Sequence, residues 1–347
     1  MTSAATVPLT VAVVGAVAAL LATPVARRVA IRLGVTDNPD ARKAHTTPTP
    51  YLGGLAITFG IVVGVLAGRS FSWAAAAVAL GALLLVVVGV LDDLYNLSPV
   101  LRLALEALAG GLPLLGGLRF PAGYTALAVG LALIWIVLLA NSVNLLDNMD
   151  GAAASSTGAV AAVLAVGAAT SGKPLTAVFA AATAGACLGF LRWNWRPARI
   201  FMGDGGSLLL GYLLAVGSLA VLRDVEPLEG AVAMLLFAAL PLFDTSLVVI
   251  SRRRAGRSFL QGGTDHSSHR LRRSGLSVGA SAATLAAAAA GVATVGLLVT
   301  RGHLPAVPVL LVGVVAWAVL LTLALRVPCY PGDEAHRRTG AIPFPGN

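Results

Sequence analysis

The sequence predicts an all-α, polytopic integral membrane protein, a bundle of ten or eleven transmembrane helices with its N-terminus outside. Of its 347 residues, 57% are apolar and only 11% are charged, and the mean hydropathy is +0.87. Soluble domains carry about 25% charged residues, so this composition favours a bilayer as the solvent. The apolar residues also fall in runs of roughly 18 to 22, each long enough to cross about 30 Å of hydrocarbon. Because backbone groups must satisfy one another in lipid, these runs are expected to be helices.

Eleven apolar runs are the predicted spans, and together they define one transmembrane domain, residues 1–326. Their predicted bounds are 7–25, 52–68, 73–91, 101–118, 125–142, 151–170, 174–191, 207–222, 230–250, 276–300 and 304–325. The first run has no Lys or Arg before it, whereas Arg27 and Arg28 follow it, so we expect a retained span and not a cleaved signal peptide. Residues 327–347, rich in proline and glycine, are expected to form a disordered cytoplasmic tail.

The distribution of basic residues predicts the orientation. Sixteen Lys and Arg residues lie in or beside the loops that are cytoplasmic when the N-terminus is outside, against five on the opposite side. Cytoplasmic loops carry such an excess. The formal net charge of +9 reflects this asymmetry and an attraction to anionic membrane lipid, so it does not imply nucleic acid binding.

Acidic residues stand at the predicted cytoplasmic ends of the spans. Asp92 and Asp93 lie in VLDDLYNLSP, Asp147 and Asp150 in NSVNLLDNMDGA, and Asp204 in FMGDGGS. An ionised carboxylate costs up to about 3 kcal/mol when it is drawn toward the bilayer centre, so these acids at helix edges suggest a shared cation. Aspartate oxygens are hard ligands that suit Mg²⁺, which bridges carboxylates and substrate phosphates. A phosphorylated substrate is the natural inference.

Two cytoplasmic loops add cations and histidines. The first contains Lys43 and leads to Gly53–Gly54 at the start of a span, where a helix N-terminus attracts anions. The fifth reads DHSSHRL, with His266, His269 and Arg270. Two histidines three residues apart could bind a metal, but contact with the oxygens of a diphosphate is favoured.

Two acids lie inside predicted spans. Asp244 comes about two helical turns before Arg252, which predicts that the two side chains pair with each other. Glu106 lies near the start of its span, where snorkelling or a polar contact between helices explains it.

Five motifs in order carry a family resemblance, from about Asp37 to about Leu276. They are RKAHTTPTPYLGG, LDDLYNLSP, NSVNLLDNMDG, FMGDGGS and DHSSHRL. In this set the chain resembles the polyprenyl-phosphate N-acetylhexosamine-1-phosphate transferases, which include the phospho-N-acetylmuramoyl-pentapeptide transferases. The resemblance implies transfer of a sugar-1-phosphate from a UDP-sugar donor to a polyprenyl phosphate acceptor, with release of UMP. It also implies dependence on Mg²⁺, with Mn²⁺ as the alternative ion, and a site on the cytoplasmic face of the cell membrane.

The resemblance also implies roles for individual residues. Asp204 matches the metal-ligand aspartate, and Asp92 and Asp93 match a pair that serves the lipid phosphate, so these three are the predicted catalytic residues. The implied substrate-binding residues are Asn144, Asp147 and Asp150 for the nucleotide, Phe201 for stacking on uracil, Lys43 for the nucleotide, and His266, His269 and Arg270 for the diphosphate or sugar. A homodimer is implied only by likeness to the pentapeptide branch.

Two positions depart from the family pattern; the first is expected to alter the backbone of the nucleotide loop, and the second leaves the sugar open. Asn148 stands where a DGxDG pattern would place its first glycine, and the fifth loop has neither three consecutive histidines nor an HxHH pattern. The second departure argues against the pentapeptide substrate. A multi-pass transporter and a catalytically inactive relative remain the alternatives, although a transporter would predict charges at mid-membrane depth and paired halves.

Overall fold

The computed structural model describes residues 3–37, 48–69, 71–118, 125–258 and 261–330, and these form thirteen α-helices and one small antiparallel sheet. The helices are α1 (Ser3–Leu33), α2 (Gly53–Ala67), α3 (Trp73–Tyr95), α4 (Pro99–Leu115), α5 (Ala126–Leu146), α6 (Ala152–Thr170), α7 (Pro174–Asn194), α8 (Asp204–Val221), α9 (Pro227–Phe237), α10 (Ala239–Arg254), α11 (Ser267–Arg273), α12 (Val278–Thr300) and α13 (Ala306–Leu325). The strands are β1 (Thr36–Asp37) and β2 (Thr49–Pro50), paired with Thr36 opposite Pro50.

The helices confirm a polytopic helical membrane protein. Within the described residues, eight are long and apolar enough to cross a membrane, and the pair α9–α10 would make a ninth crossing. The helix α2 is a shorter apolar helix. At the centre lies α8, where 83% of the residues in its apolar stretch are buried. In the apolar stretch of α13 only 6% of the residues are buried.

The run predicted as one span over 230–250 is broken in the structure. The helices α9 and α10 meet at Ala238 with a bend of 66°. Pro241 explains the break, because proline has no N–H to donate to the carbonyl of Phe237, four residues earlier. Both sides of the break are apolar, so hydropathy alone could not detect it.

Glycines bring three helices into backbone contact at the start of α8. A Cβ atom added to Gly54 of α2 would lie 2.3 Å from the backbone nitrogen of Gly206. One added to Gly89 of α3 would lie 2.3 Å from the nitrogen of Gly205. Real Cβ atoms do not approach this closely, so only glycine permits the packing that fixes α2 and α3 around the N-terminus of α8.

The acid-bearing loops meet at one end of the bundle. Side chains from the C-terminal ends of α3 and α5 contact the N-terminus of α8 there. At the opposite end, Lys173 lies 3.2 Å from Asp224, and Arg301 donates to the Thr170 hydroxyl. The fold therefore separates a carboxylate-rich end from an end with few acids.

Candidate active site

Asp204 opens α8 and is held there by Asp93. The backbone N–H of Asp204 donates to Asp93 Oδ2 at 3.0 Å, so the Asp93 carboxylate caps the positive end of α8. The turn before it requires Gly203, whose φ is +73° and whose added Cβ would lie 2.6 Å from Asp93 Oδ2. The local sequence GDGG therefore supplies both the turn and the room for the carboxylate.

Arg102, in the first turns of α4, connects the acids. Its Nη1 donates to Asp92 Oδ2 at 2.6 Å and to Asp204 Oδ2 at 3.2 Å. Its Nε donates to Glu106 Oε1 at 3.1 Å, and its Nη2 donates to Asn141 Oδ1 at 2.7 Å. The planar guanidinium presents several donors in a fixed fork, which is why one arginine can hold four partners.

Asparagines of α5 complete this cluster. Asn144 Nδ2 donates to Asp204 Oδ1 at 2.8 Å and to Ser207 Oγ at 2.9 Å. Asn141 Nδ2 donates to Glu106 Oε2 and to its own helix at the carbonyl of Val137. The two oxygens of Asp204 therefore have different partners, Arg102 on one and Asn144 on the other.

Asp147 and Asp150 follow α5 directly. Burial and the negative charges of Asp204 and Asp150 raise the pKa of Asp147 to about 7, so a cation is favoured beside it. Asp150 Oδ2 accepts from the N–H of Ala198 at 3.1 Å and lies 3.5 Å from Nη1 of Arg196. Asp150 thus fixes the turn that leads to the segment of Phe201.

The backbone around Phe201 is bound to the start of α2. Its N–H donates to the Pro50 carbonyl at 2.9 Å, and its carbonyl accepts from Gly53 at 3.0 Å. The N–H of Gly54 donates to the carbonyl of Met202 at 2.8 Å. The expectation that Gly53–Gly54 offers its backbone donors to an anion is therefore wrong, because both N–H groups bind protein carbonyls.

Asp244 organises the histidine segment. Its Oδ2 lies 2.8 Å from Nδ1 of His266, and its Oδ1 accepts from both the N–H and the hydroxyl of Ser267 at 2.6 Å. The predicted pairing of Asp244 with Arg252 is wrong. Arg252 instead donates to Asp265 at 3.1 and 3.2 Å, because the loop after α10 folds back and brings new partners to both residues.

His269 and Arg270 have contrasting environments. Burial, followed by the positive charges of His266, Arg273 and Arg272, lowers the pKa of His269 to about 4, so this imidazole is neutral near pH 7. Arg270 is buried and donates to the carbonyls of Asp265, Ala324 and Val327 and to the hydroxyl of Ser251. These bonds tie α11 to the end of α13, and they favour a structural role for Arg270 over the predicted contact with substrate.

Two predictions fall on segments that the structure describes little or not at all. Lys43 lies outside the described residues. Of the predicted tail, residues 327–330 are described: the Val327 carbonyl accepts from Arg270, and the Tyr330 ring lies 4.9 Å below the Arg257 guanidinium.

The donor chemistry of the cluster suits Mg²⁺ bound in part by substrate. Among the described residues, no group of three or more His, Cys, Asp or Glu side chains is placed to hold a metal ion. Mg²⁺, however, commonly takes one or two carboxylates and completes its shell with water and substrate phosphates. Asp204 is a hard ligand with a partly exposed carboxylate. The three acids Asp92, Asp204 and Glu106 contact a single guanidinium, and a fourth acid, Asp93, accepts the backbone N–H of Asp204. The excess of acid over base favours an added cation.

Sequence reasoning missed the central role of Arg102 and Asn141. No role was predicted for Arg102, one of the basic residues beside a cytoplasmic loop, or for Asn141, the first residue of the motif NSVNLLDNMDG. Signals were present, since Arg102 and Glu106 are four residues apart in a helix, and Asn141 and Asn144 are three apart.

The fold and the site define a polytopic helical membrane protein with a carboxylate-rich polar cluster at one end of the bundle. The sequence profile described as glycosyl transferase family 4 matches residues 75–222. The chain is 34% identical to a probable undecaprenyl-phosphate N-acetylglucosaminyl 1-phosphate transferase of Bacillus subtilis, over 76% of this chain and 77% of the relative. The chain belongs to this family, which confirms the resemblance seen in the motifs.

Two further relatives show the range of the family. A decaprenyl-phosphate N-acetylglucosaminephosphotransferase of Mycolicibacterium smegmatis is 32% identical over 75% of each chain. A phospho-N-acetylmuramoyl-pentapeptide-transferase of Heliobacterium modesticaldum is 36% identical over 58% of this chain and 71% of the relative. All three relatives are named for transfer reactions, and two of the three names specify a polyprenyl phosphate.

Proposed function

We propose that this chain transfers N-acetylhexosamine 1-phosphate from a UDP-sugar to polyprenyl phosphate at the cytoplasmic face of the cell membrane. The observation that carries the proposal is the cluster at the helix ends, in which Asp204 contacts Arg102, Asn144 and Asp93, and Arg102 also binds Asp92. A lipid phosphate at the membrane surface and a soluble nucleotide can meet at such a place. The two relatives named for N-acetylglucosamine match about three quarters of the chain, which favours N-acetylglucosamine as the sugar.

The reaction exchanges one phosphorus–oxygen bond for another. An oxygen of the polyprenyl phosphate attacks the phosphorus that carries the sugar, and the bond from that phosphorus to the oxygen bridging the nucleotide phosphate breaks, releasing UMP. Both reactants are anions, so the attack is slow unless charge is neutralised and the groups are held in line. When bound, Mg²⁺, or Mn²⁺ as the alternative ion, would neutralise charge on the phosphate oxygens.

Each residue of the cluster has a different proposed role. Asp204 is the proposed metal ligand because it is a partly exposed carboxylate whose two oxygens are oriented by Arg102 and Asn144. Asp92 is the proposed partner of the acceptor phosphate. Asp93 positions Asp204 through its bond to the backbone N–H of that residue. Arg102 binds both Asp92 and Asp204 and supplies positive charge to the two carboxylates.

The donor site is proposed to lie between the segment after α5 and the helix α11. Asp147 and Phe201, together with Lys43, would contact the nucleotide, and neutral His269 would contact the diphosphate or sugar. Asp150 is proposed to hold the segment of Phe201 in place, because its carboxylate accepts the backbone N–H of Ala198 in the preceding turn. His266 and Arg270 are proposed to hold this helix in place, since their ring and guanidinium bind protein groups.

The proposed membrane arrangement retains eleven crossings with the N-terminus outside. The helices α2 and α4 and the bent pair α9–α10 would add three crossings to the eight long apolar helices. Lipid would then cover the exposed apolar faces, above all that of α13. Homodimer formation remains a prediction from the pentapeptide branch.

The test is release of UMP by the purified protein in detergent with undecaprenyl phosphate, Mg²⁺ and a panel of UDP-sugars. We expect release that requires both lipid and divalent metal and that is fastest with UDP-N-acetylglucosamine. Reactions without lipid and with EDTA are the controls. A folded protein that releases no UMP with any donor would contradict the proposal.

A further inference from the structure

The two places where this chain departs from its family pattern touch each other. In a DGxDG pattern that begins at Asp147, the first glycine position is Asn148; in an HxHH pattern that begins at His266, the third position is Ser268. The hydroxyl of Ser268 donates to Oδ1 of Asn148. The bond joins the segment after α5 to α11 across 120 residues of sequence.

The Asn148 side chain joins two elements. Its Nδ2 donates to the carbonyls of Leu145 and Leu146, at 3.0 and 3.1 Å, in the last turn of α5. Its Oδ1 receives the hydroxyl of Ser268, which is fully buried at the start of α11. The same amide group therefore caps α5 and binds α11, and a glycine could do neither.

The backbone at Asn148 does not require glycine. The described residues with positive φ, glycines apart, are Arg69 and Asn96, so Asn148 adopts an ordinary backbone conformation. The left-handed conformation in this segment is taken by Gly151, with φ +74°. Asparagine is therefore compatible with the turn at this position, where the expected alteration of the backbone is not seen, and its side chain adds a contact.

We infer that Asn148 and Ser268 form a bridge that positions α11, and with it His269, against the nucleotide segment, residues 144–150. This bridge is a positioning pair for the UDP-sugar donor, and the inference rests on the proposed function of that cleft. The other side of α11 is already fixed, because Asp244 binds His266 and Ser267. With Ser268 bound to Asn148, the two walls of the donor cleft are joined before the donor arrives, which lowers the ordering cost of binding.

The bridge predicts a specific kinetic pattern. Ser268→Ala and Asn148→Ala should each raise the KM for the UDP-sugar by about fivefold or more while kcat changes by less than about twofold, because a pre-ordered cleft aids ground state and transition state alike. The double variant should have a KM no higher than the worse single variant, since either change alone breaks the bridge.

The control is Ser246→Ala. Ser246 lies in α10 and donates to the carbonyl of Phe243 in its own helix at 2.8 Å, so its loss removes a serine hydroxyl without separating two elements. We expect its KM and kcat to match those of the unaltered protein.

Hydrogen exchange tests the bridge without turnover. Ser268→Ala should speed amide exchange in residues 145–150, and Asn148→Ala should speed it in residues 266–270, with Ser246→Ala changing neither segment. Effects of the two substitutions on KM that multiply in the double variant, or unchanged exchange in both segments, would overturn the bridge. If the unaltered protein releases no UMP from any UDP-sugar, the proposed function and the donor role fail together, and hydrogen exchange still decides whether the bridge links the two segments.

Discussion

Asp92 and Asp93 are neighbours in the chain but make different contacts. Asp93 accepts a backbone N–H at the start of α8, a bond that a carboxamide oxygen can also accept, whereas Asp92 faces the guanidinium of Arg102. We therefore expect Asp93→Asn to retain kcat within about tenfold and Asp93→Ala to lose it by about 100-fold or more, because only alanine removes the acceptor that holds Asp204. Steady-state kinetics on both variants checks this. Equal losses in the two variants would show that the charge of Asp93, and not its capping bond, is required.

The guanidinium of Arg102 binds four side-chain acceptors. Lysine has one compact ammonium group and cannot reproduce the fork that binds four acceptors, so Arg102→Lys should lower kcat by about 100-fold. Arg102→Gln should also lower the free energy of unfolding by about 3 kcal/mol, because buried acids lose their partner. Arg223→Gln, at an exposed arginine just beyond the far end of α8, is the control and should change stability by less than about 0.5 kcal/mol. Full activity of Arg102→Lys would contradict the role given to this residue.

The lowered pKa of His269 predicts how the free energy of unfolding depends on pH. Its pKa falls from the ordinary value of 6.5 to about 4 in the folded protein, so the unfolded chain takes up the proton first. The stability that the neutral imidazole contributes is fully present above pH 6.5 and is lost as the pH falls toward about 4. Between pH 7.5 and 4.5, the free energy of unfolding should therefore depend less on pH in His269→Asn than in the unaltered protein. Identical pH dependence would mean that His269 is not the group that titrates.

At the scale of the element, the close contact of α3 with α8 is the feature to test. The Cβ of Gly89→Ala would meet backbone atoms of Gly205, which cannot move aside as a side chain can. We expect a loss of about 1–3 kcal/mol in unfolding free energy and a marked loss of activity, because the helices that carry Asp93 and Asp204 must separate. Gly130→Ala in α5 is the matched control, since no atom lies within 4 Å of its added Cβ. Similar results for the two variants would show that the close contact does not matter.

The positions of helices were predicted well where the length of an apolar run determines them. They were predicted poorly where tertiary packing determines them. The predicted runs 73–91 and 174–191 correspond to α3 and α7, because apolar length alone marks a span. The break between α9 and α10 escaped prediction, since the residues on both sides are apolar. The partner of Asp244 was wrong for a related reason: spacing along one helix says nothing about a loop that folds back on it.

At the scale of the whole molecule, the prediction concerns orientation. In a variant without Cys187 and Cys329, a cysteine at Gln261, exposed between α10 and α11, should be labelled only from the cytoplasm. A cysteine at His303, exposed between α12 and α13, should be labelled only from outside. This follows from the excess of basic residues at the end that carries the acids. The reverse pattern would put the acid cluster outside and overturn the proposed cytoplasmic site.

The candidate site was predictable as a set of residues but not as a geometry. Asp92, Asp93, Asn144 and Asp204 were named from their motifs, and the structure brings them together. Arg102 was missed as the partner of Asp92 and Asp204. The spacing within α4 indicates only its pair with Glu106, whereas its contacts with the two aspartates depend on how α4 packs against α3 and α5.

The central claim is that the Asp204 cluster transfers a sugar-1-phosphate to a lipid phosphate. The most direct measurement compares the unaltered protein with Asp204→Asn, by quantifying UMP and polyprenyl-diphosphate-sugar in the same reaction with Mg²⁺, undecaprenyl phosphate and UDP-N-acetylglucosamine. We predict equal amounts of the two products from the unaltered protein, and a loss of about 1,000-fold in the variant although it remains folded and membrane-inserted. Full activity of folded Asp204→Asn, or UMP formed without the lipid product, would contradict the claim.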